Sequence, residues 1–143
     1  RRKTMDVNIN LWAVLAATAA MFVVGAFWYM VPFGKIWGKI HDFDKLSKKQ
    51  QDEMRAKMGP WYGVQLVVTI ISAFVLAMFI QLLPDQSPYY IAFLLWFGFV
   101  LPTEASAMIF GGSKPEYVWH KIAISSSEAL LHLLVAAWVI SLF

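Results

Sequence analysis

Two glutamates and a histidine stand in stretches of this sequence that are otherwise apolar, and they are the residues best suited to chemistry. Glu128 and His132 are four residues apart, so on a helix they share a face and can pair. The pair has two possible states. Both groups can be charged, or a neutral carboxylic acid can bond a neutral imidazole, since burial away from water favours the neutral form of each. Glu104 stands in an earlier apolar stretch. Together the three form a candidate cluster for binding or conducting a small solute, an ion or a proton.

Pro102 comes two residues before Glu104 and predicts a break in its helix. Proline has no N–H to donate, so the carbonyl of Gly98 loses its helical partner and the helix should kink. Broken helices recur at the binding sites of transporters, but proline also occurs in membrane helices for packing reasons. Both interpretations of the kink stay open from the sequence alone.

His120 and Ser127 are further candidates for the same cluster. They are seven residues apart, which is about two helical turns, and so they share a face. Ser127 ends a run of three serines that begins at Ser125. Such a run serves helix contact or ligand binding, and contact is the favoured interpretation because small residues let helices approach closely.

No metal site and no other cofactor is predicted from this cluster. The histidines and glutamates have donor atoms that suit zinc or iron, but helical geometry separates His120 from His132 by about 120°. A single membrane histidine can also ligate haem or chlorophyll, although the sequence has no attachment motif. Because the chain has no cysteine and none of the common catalytic motifs, no catalytic residue is predicted. An enzymatic role stays open, and a non-enzymatic one is favoured.

The stretches that hold these residues have the length and composition of membrane-spanning helices. Of the 143 residues, 59% are hydrophobic, and the mean hydropathy is +0.59. Soluble domains have roughly 45–50% apolar residues. Each of four apolar runs reaches the roughly 20 residues that a helix needs to cross a hydrocarbon core of about 30 Å. The sequence therefore predicts an all-α membrane protein, a single transmembrane domain over residues 1–143 with four spans at about 9–31, 61–83, 88–110 and 118–142.

The stretch between the first two spans predicts one amphipathic helix, over about residues 43–58. Ser47 with Gln50 fits a capping box at its start, and Gly59 with Pro60 marks its end. Apolar side chains recur at helical spacings among charged ones, and they are Phe43, Leu46, Met54 and Met58. Such a helix lies along the membrane interface or connects the two spans through solvent.

The basic residues predict which side of the membrane each loop occupies. Cytoplasmic loops carry an excess of Lys and Arg. The loops after the first and third spans hold nine, which are Lys35, Lys39, Lys45, Lys48, Lys49, Arg55, Lys57, Lys114 and Lys121. The opposite side holds Arg1, Arg2 and Lys3, and a native start at Met5 would remove these. We therefore expect both termini to be non-cytoplasmic, in a bacterial plasma membrane. Contact with lipid explains the pI near 9.2 better than nucleic-acid binding does.

Several short motifs are spread over nearly the whole chain. Two of them flank the predicted loop helix, and they are Phe33-Gly34-Lys35-Ile36-Trp37 and Met58-Gly59-Pro60-Trp61-Tyr62-Gly63. The others are Asn8-Ile9-Asn10, Gly25-Ala26-Phe27-Trp28-Tyr29, Gly98-Phe99-Val100 with Pro102-Thr103, and His132 in the last span. In these motifs the chain resembles domain-of-unknown-function family 1761, a group of small bacterial and fungal integral membrane proteins. The resemblance implies an architecture and carries over no catalytic residue.

These observations leave a leading hypothesis and two rivals. Four helices around one narrow core cannot easily both pack and enclose a path, so we expect the chain to associate with its own copies or with a larger complex. The leading hypothesis is a self-associating membrane protein whose buried acid and imidazole groups bind or conduct a small solute, ion or proton. In the first rival, an accessory or scaffold subunit, the same polar residues only join helices. The second is a membrane enzyme or cofactor carrier that uses His120 and His132.

Overall fold

The computed structural model of this protein describes residues 6–143. Its α-helices are α1 (Leu11–Met30), α2 (Gly34–Ile40), α3 (Lys48–Lys57), α4 (Gly59–Leu82), α5 (Pro88–Leu95), α6 (Leu101–Phe110) and α7 (Val118–Ser141). Short 3₁₀ turns occupy Phe43–Lys45 and Pro115–Tyr117, and a π-helical turn, Trp96–Val100, joins α5 to α6. Arg1, Arg2, Lys3 and Met5, which entered the predicted orientation, lie outside the described residues.

Four helical segments are long and apolar enough to cross a membrane. They are Leu11–Met30, Gly59–Leu82, Pro88–Phe110 and Pro115–Ser141, here called the first to fourth spans. No strand occurs within residues 6–143. The predicted fold class, an all-α membrane protein with four spans, is confirmed.

The segment between the first two spans contains two helices where the sequence pattern predicts one. The α-helix starts at Lys48 instead of near residue 43, because Ser47 Oγ accepts the Gln50 N–H at 3.3 Å and Gln50 Oε1 accepts the Ser47 N–H at 2.9 Å. This capping box fixes the start of α3. The additional helix α2 is only seven residues long and has no side-chain cap, so the sequence carries no clear signal for it.

The third span breaks at the place that Pro102 predicts. The Leu101 N–H bonds to the carbonyl of Trp96, five residues back, so the chain makes a π-helical turn just before the proline. The Thr103 hydroxyl donates to the carbonyl of Phe99 at 2.5 Å. The break is therefore a local widening of the helix whose backbone groups find new partners.

The fourth span is the centre of the bundle, because it packs against all three others, about equally against the first and the third and least against the second. Two indole N–H groups fasten it to its neighbours: Trp28 donates to the carbonyl of Ile124 at 3.2 Å, and Trp96 donates to the carbonyl of Ser126 at 2.7 Å. Carbonyls two residues apart point about 200° apart around a helix, so the two indoles hold α7 from opposite sides. The second of these bonds satisfies the one tryptophan that lies deep in a span.

A core of small and aliphatic side chains closes the end of the bundle that holds the termini. It contains Val14, Ala17, Met21, Ala73, Leu76, Ala77, Ile91, Ala92, Ala136, Ala137 and Val139. Several of its alanines have no exposed surface. Close approach of backbones at such positions maximises dispersion contacts between helices, which is what holds helices together in lipid. We call this end the termini side, and the opposite end, with α2 and α3, the loop side.

On the loop side the helices spread apart. The second span contacts α5 and makes almost no contact with α6. Its first ten residues, 59–68, are all exposed. The bundle is thus tight at one end and open at the other.

An ion pair joins the two connections on the loop side. Lys114 Nζ lies 2.7 Å from Asp42 Oδ2, and Lys45 Nζ lies 2.9 Å from Asp42 Oδ1. Hydrogen bonds from Lys114 and then from Lys45 lower the pKa of the Asp42 carboxyl from 3.8 to about 2. The pair places the connection between the third and fourth spans against the one between the first and second.

This pair predicts an acid-dependent contribution to stability. A carboxyl whose pKa is lowered in the folded state stabilises that state above the unfolded pKa and stops doing so as the pH falls through the folded pKa. Wild type should therefore unfold at a higher temperature than Asp42→Asn above about pH 4, and the difference should vanish towards pH 2. Thermal unfolding in detergent at several pH values measures this. Asp85→Asn, at an exposed carboxyl in the other turn, is the control, and an equal effect there would contradict the assignment.

Candidate functional site

The open half of the bundle contains a cavity of about 590 Å³ on the loop side. All four spans and α2 contribute to its wall. The lining residues are Phe22, Gly25, Ala26, Tyr29, Met30, Trp37, Met58, Tyr62, Gln65, Thr69, Glu104, Glu128 and His132. Three of the five residues that the sequence analysis names as binding candidates, Glu104, Glu128 and His132, are thus brought to one place.

Glu128 and His132 are in direct contact on α7. His132 Nε2 lies 2.8 Å from Glu128 Oε1, and the two side chains are 17% and 10% exposed. The ring N–H direction does not point at this oxygen, so the pair is a close polar contact and not an aligned hydrogen bond. A small turn of the ring would align it. The pair thus places a carboxyl oxygen and an imidazole nitrogen within bonding distance on one face of α7.

Gly25 on α1 allows the first span to approach this pair. A Cβ at position 25 would lie 2.9 Å from His132 Nε2 and 3.0 Å from Glu128 Oε1. Even the methyl group of alanine therefore overlaps the space that the pair occupies. Because α1 packs so closely against α7 here, the pair is fixed between two helices.

Glu104 reaches the cavity from the third span, directly after the π-helical turn. Its Oε2 atom is buried and has no hydrogen-bond partner among residues 6–143. A buried polar atom without a partner costs about 1–3 kcal/mol, and more when the group is charged. Glu104 thus contributes to the cavity wall a carboxyl group of which one oxygen is buried without a partner in the described chain.

Two aromatic rings form the part of the wall nearest the loop side. The Tyr29 hydroxyl donates to Ser125 Oγ at 3.4 Å, and its ring centroid lies 4.7 Å from that of Trp37. The Trp37 ring in turn contacts His41, whose Nδ1 lies 2.9 Å from the Trp37 carbonyl oxygen. Ring contacts of this kind attach the short helix α2 to the end of α1 and place Trp37 over the cavity.

The other two candidates from the sequence lie outside the cavity. His120 is exposed, and its nearest aromatic neighbour is the ring of Tyr117, 6.0 Å away. The Ser127 hydroxyl donates to the carbonyls of Ala123 and Ile124 at 2.6 and 3.0 Å, within its own helix. Within the described part of the chain, no three His, Cys, Asp or Glu side chains are grouped closely enough to hold a metal ion.

Several cavity residues were not selected from the sequence. Gln65 and Thr69 stand one turn apart on the second span, where Gln65 Nε2 donates to Thr69 Oγ1 at 3.3 Å. Two polar side chains at this spacing in an apolar span are a signal that sequence reasoning could have used. Tyr29 and Trp37 fall within family motifs, but their position at a cavity depends on how α2 folds back. For Gly25 no sequence signal distinguishes this contact from ordinary helix packing.

Comparison with known proteins gives a family and no function. The family profile of DUF1761, described as proteins of unknown function, matches residues 12–141. The chain belongs to this family. No curated protein and no solved structure matches the chain significantly. The resemblance inferred from the short motifs is confirmed, and DUF1761 membership extends over all four spans.

The contact at Gly25 predicts a specific effect of adding one methyl group. Gly25→Ala should displace the pair of Glu128 and His132 and destabilise the bundle by about 1–3 kcal/mol, the usual cost of overpacking. Unfolding in detergent measures the free energy, and the ¹⁵N chemical shifts of the His132 ring report the displacement.

Gly63→Ala is the matched control, since nothing lies within 4 Å of a Cβ there. It should be neutral or stabilise α4 by up to about 1 kcal/mol, the helix propensity difference. If the clash is responsible, the cost of Gly25→Ala should shrink in a His132→Ala background. An unchanged cost in that background would contradict the assignment.

The shape of the cavity predicts one-sided access for water. Because the chain has no cysteine, single cysteines can be introduced without background. Ala26→Cys, in the cavity wall, should react with a membrane-impermeant maleimide added from the loop side only, because maleimides react with the thiolate that forms in water. Ala19→Cys is the matched control, since it is an exposed alanine two turns away on α1 that does not line the cavity. Equal labelling of the two would show that the cavity is not open to water.

Proposed function

We propose that this chain is a self-associating membrane protein that binds a small solute, an ion or a proton in the loop-side cavity. Glu104, Glu128 and His132 are the groups that would hold it. The observation that supports this most directly is that two glutamates and a histidine from two separate spans line one cavity, which the core on the termini side closes off.

The position of these groups distinguishes a binding role from simple helix packing. Polar residues that only join helices satisfy one another across a closed interface, as the indole of Trp96 and the carbonyl of Ser126 do. Glu104 differs, because its side chain lines an open cavity and one of its carboxyl oxygens is buried without a partner among the described residues. Ionisable residues that face a cavity within a membrane commonly mark the path of an ion or solute.

The two acidic groups would have different roles. Glu128 lies 2.8 Å from His132, so its carboxyl group would be occupied by the imidazole. Glu104 is the group that meets the ligand. Glu104 and Glu128 carry like charges in the same cavity when both are ionised. The binding of a cation or a proton at Glu104 therefore depends on the charge of the pair that Glu128 forms with His132.

We propose that self-association covers the third span. From residue 93 to residue 110 no residue of this span is buried by the rest of the chain, and the exposed side chains include Phe93, Leu94, Phe97 and Phe99. A second copy would bury this face. The basic loops further support an orientation with the loop side in the cytoplasm and the cavity open to it.

The proposed function predicts ligand-dependent stability that requires Glu104. Purified protein in detergent is screened by thermal unfolding against amines, carboxylates, sugars and mono- and divalent cations, each at several pH values. A ligand at 100 times its Kd stabilises the folded state by about 2.7 kcal/mol. At least one class, or protonation itself, should stabilise wild type, and Glu104→Gln and Glu128→Gln should reduce that effect.

Glu116→Gln, at an exposed carboxyl outside the spans, should respond as wild type does. Light scattering after size-exclusion chromatography follows assembly in the same samples. If no solute class or pH change alters the unfolding of wild type, and Glu128→Gln instead dissolves the assembly, the chain is a scaffold subunit and the binding role is wrong.

A further inference from the structure

We propose that the ligand of the cavity is an organic ammonium cation that carries an apolar body. This inference rests on the proposed function and names the chemical class of its ligand. Its three grounds are the charge of the cavity, the rings in its wall and its volume.

The charge of the cavity favours a cation. Its wall contains two glutamates and one histidine, and none of its residues is Lys or Arg. His132 contacts Glu128 and so balances at most one of the two carboxyl groups. Glu104 is left with a buried oxygen that has no partner in the described chain. A positively charged ligand would supply that partner, whereas an anion would meet repulsion from both glutamates.

The aromatic content of the wall favours an ammonium group over a strongly hydrated ion. Four rings line the cavity, those of Phe22, Tyr29, Trp37 and Tyr62. The faces of such rings attract ammonium groups, and desolvated contacts of this kind contribute up to about 2 kcal/mol. The ring of Trp37 lies tilted against that of Tyr29 at the loop-side edge, with the centroids 4.7 Å apart, so both rings stand in the same wall as the carboxyl group of Glu104.

The volume favours an organic body over a bare metal ion. About 590 Å³ is within the range of small-molecule sites, roughly 300–1,000 Å³. A divalent metal ion needs several oxygen or nitrogen ligands at short distance. Among residues 6–143, no three His, Cys, Asp or Glu side chains lie close enough together to hold one. Aliphatic and aromatic side chains such as Met30, Met58 and Phe22 would instead cover the apolar part of an organic cation.

An ammonium group could reach this cavity from two sources. A free amine would enter from the loop side, where α4 and α6 separate. The ammonium headgroup of phosphatidylethanolamine would enter through the same separation from the membrane interface. Both present the same positive group to Glu104.

The test is calorimetric titration of the full-length protein in maltoside detergent with benzyltrimethylammonium, benzenesulfonate and sodium chloride. The cation should bind with a saturating isotherm, and the anion of similar size and sodium should not. Glu104→Gln should weaken binding by about 10- to 100-fold, the equivalent of losing a polar contact with a charged group. Trp37→Leu should weaken it several-fold, and Glu116→Gln should not change it.

Glu104→Asp keeps the charge and should bind within a few-fold of wild type, which separates loss of charge from loss of folding. Repeating the titration in nanodiscs distinguishes the two sources. Weaker apparent binding with phosphatidylethanolamine than with phosphatidylglycerol alone identifies the lipid headgroup as an occupant, and equal binding identifies a free amine.

The outcomes separate this inference from the proposed function. If an anionic or neutral solute stabilises the protein in a Glu104-dependent way while the ammonium probe does not bind, the ligand class is wrong and the binding role stands. If no solute or proton effect depends on Glu104, both are wrong. Equal binding of the probe to wild type and Glu104→Gln also overturns the ligand class.

Discussion

The whole structure depends on how polar groups are satisfied where no water is available. An ionisable side chain near the centre of a membrane helix costs roughly 2.5–3.5 kcal/mol on insertion scales unless it finds a partner, a proton or a hydrated space. The ionisable groups of this chain differ in which remedy they have. The carboxyl group of Glu128 has a partner, the imidazole of His132 at 2.8 Å, whereas Glu104 lines the cavity. The indole of Trp96, which is polar but not ionisable, has a backbone carbonyl as its partner. The packing of the four spans follows from these requirements as much as from their apolar surfaces.

The two ends of the bundle show two uses of the same small residues. At the termini side, alanines bring backbones together in a closely packed core. At the loop side, Gly25 lets α1 approach the polar pair on α7, and the same glycine lines the cavity together with that pair. The residues that seal one half and those that open the other are thus arranged along the same helices.

The sequence was sufficient for the parts that depend on local pattern. Length and hydropathy predicted the four spans, Pro102 predicted the break before Glu104, and the spacing of Glu128 and His132 predicted their contact. The capping box of Ser47 and Gln50 was also visible in the sequence, and it alone explains why α3 begins where it does.

What the sequence could not supply were relations between segments. The short helix α2 has no cap and is held by the contact of Trp37 with Tyr29, which is tertiary. The same limit explains His120, which is exposed and does not line the cavity although it shares a helical face with Ser127. The place of Gly25 against His132 depends on the register of two helices more than 100 residues apart in the chain.

The paired indoles on α7 have a consequence for motion. The indole N–H groups of Trp28 and Trp96 donate to carbonyls two residues apart on this helix, from opposite sides. A rotation or shift of α7 would therefore break both hydrogen bonds. These two bonds tie the first, third and fourth spans together at the level of the polar pair. The loop-side half of α4 is exposed along its first ten residues, 59–68, whereas Ala73 and Leu76 in its other half are buried in the core. We therefore expect a change in the width of the cavity to arise mainly from the loop-side half of the second span.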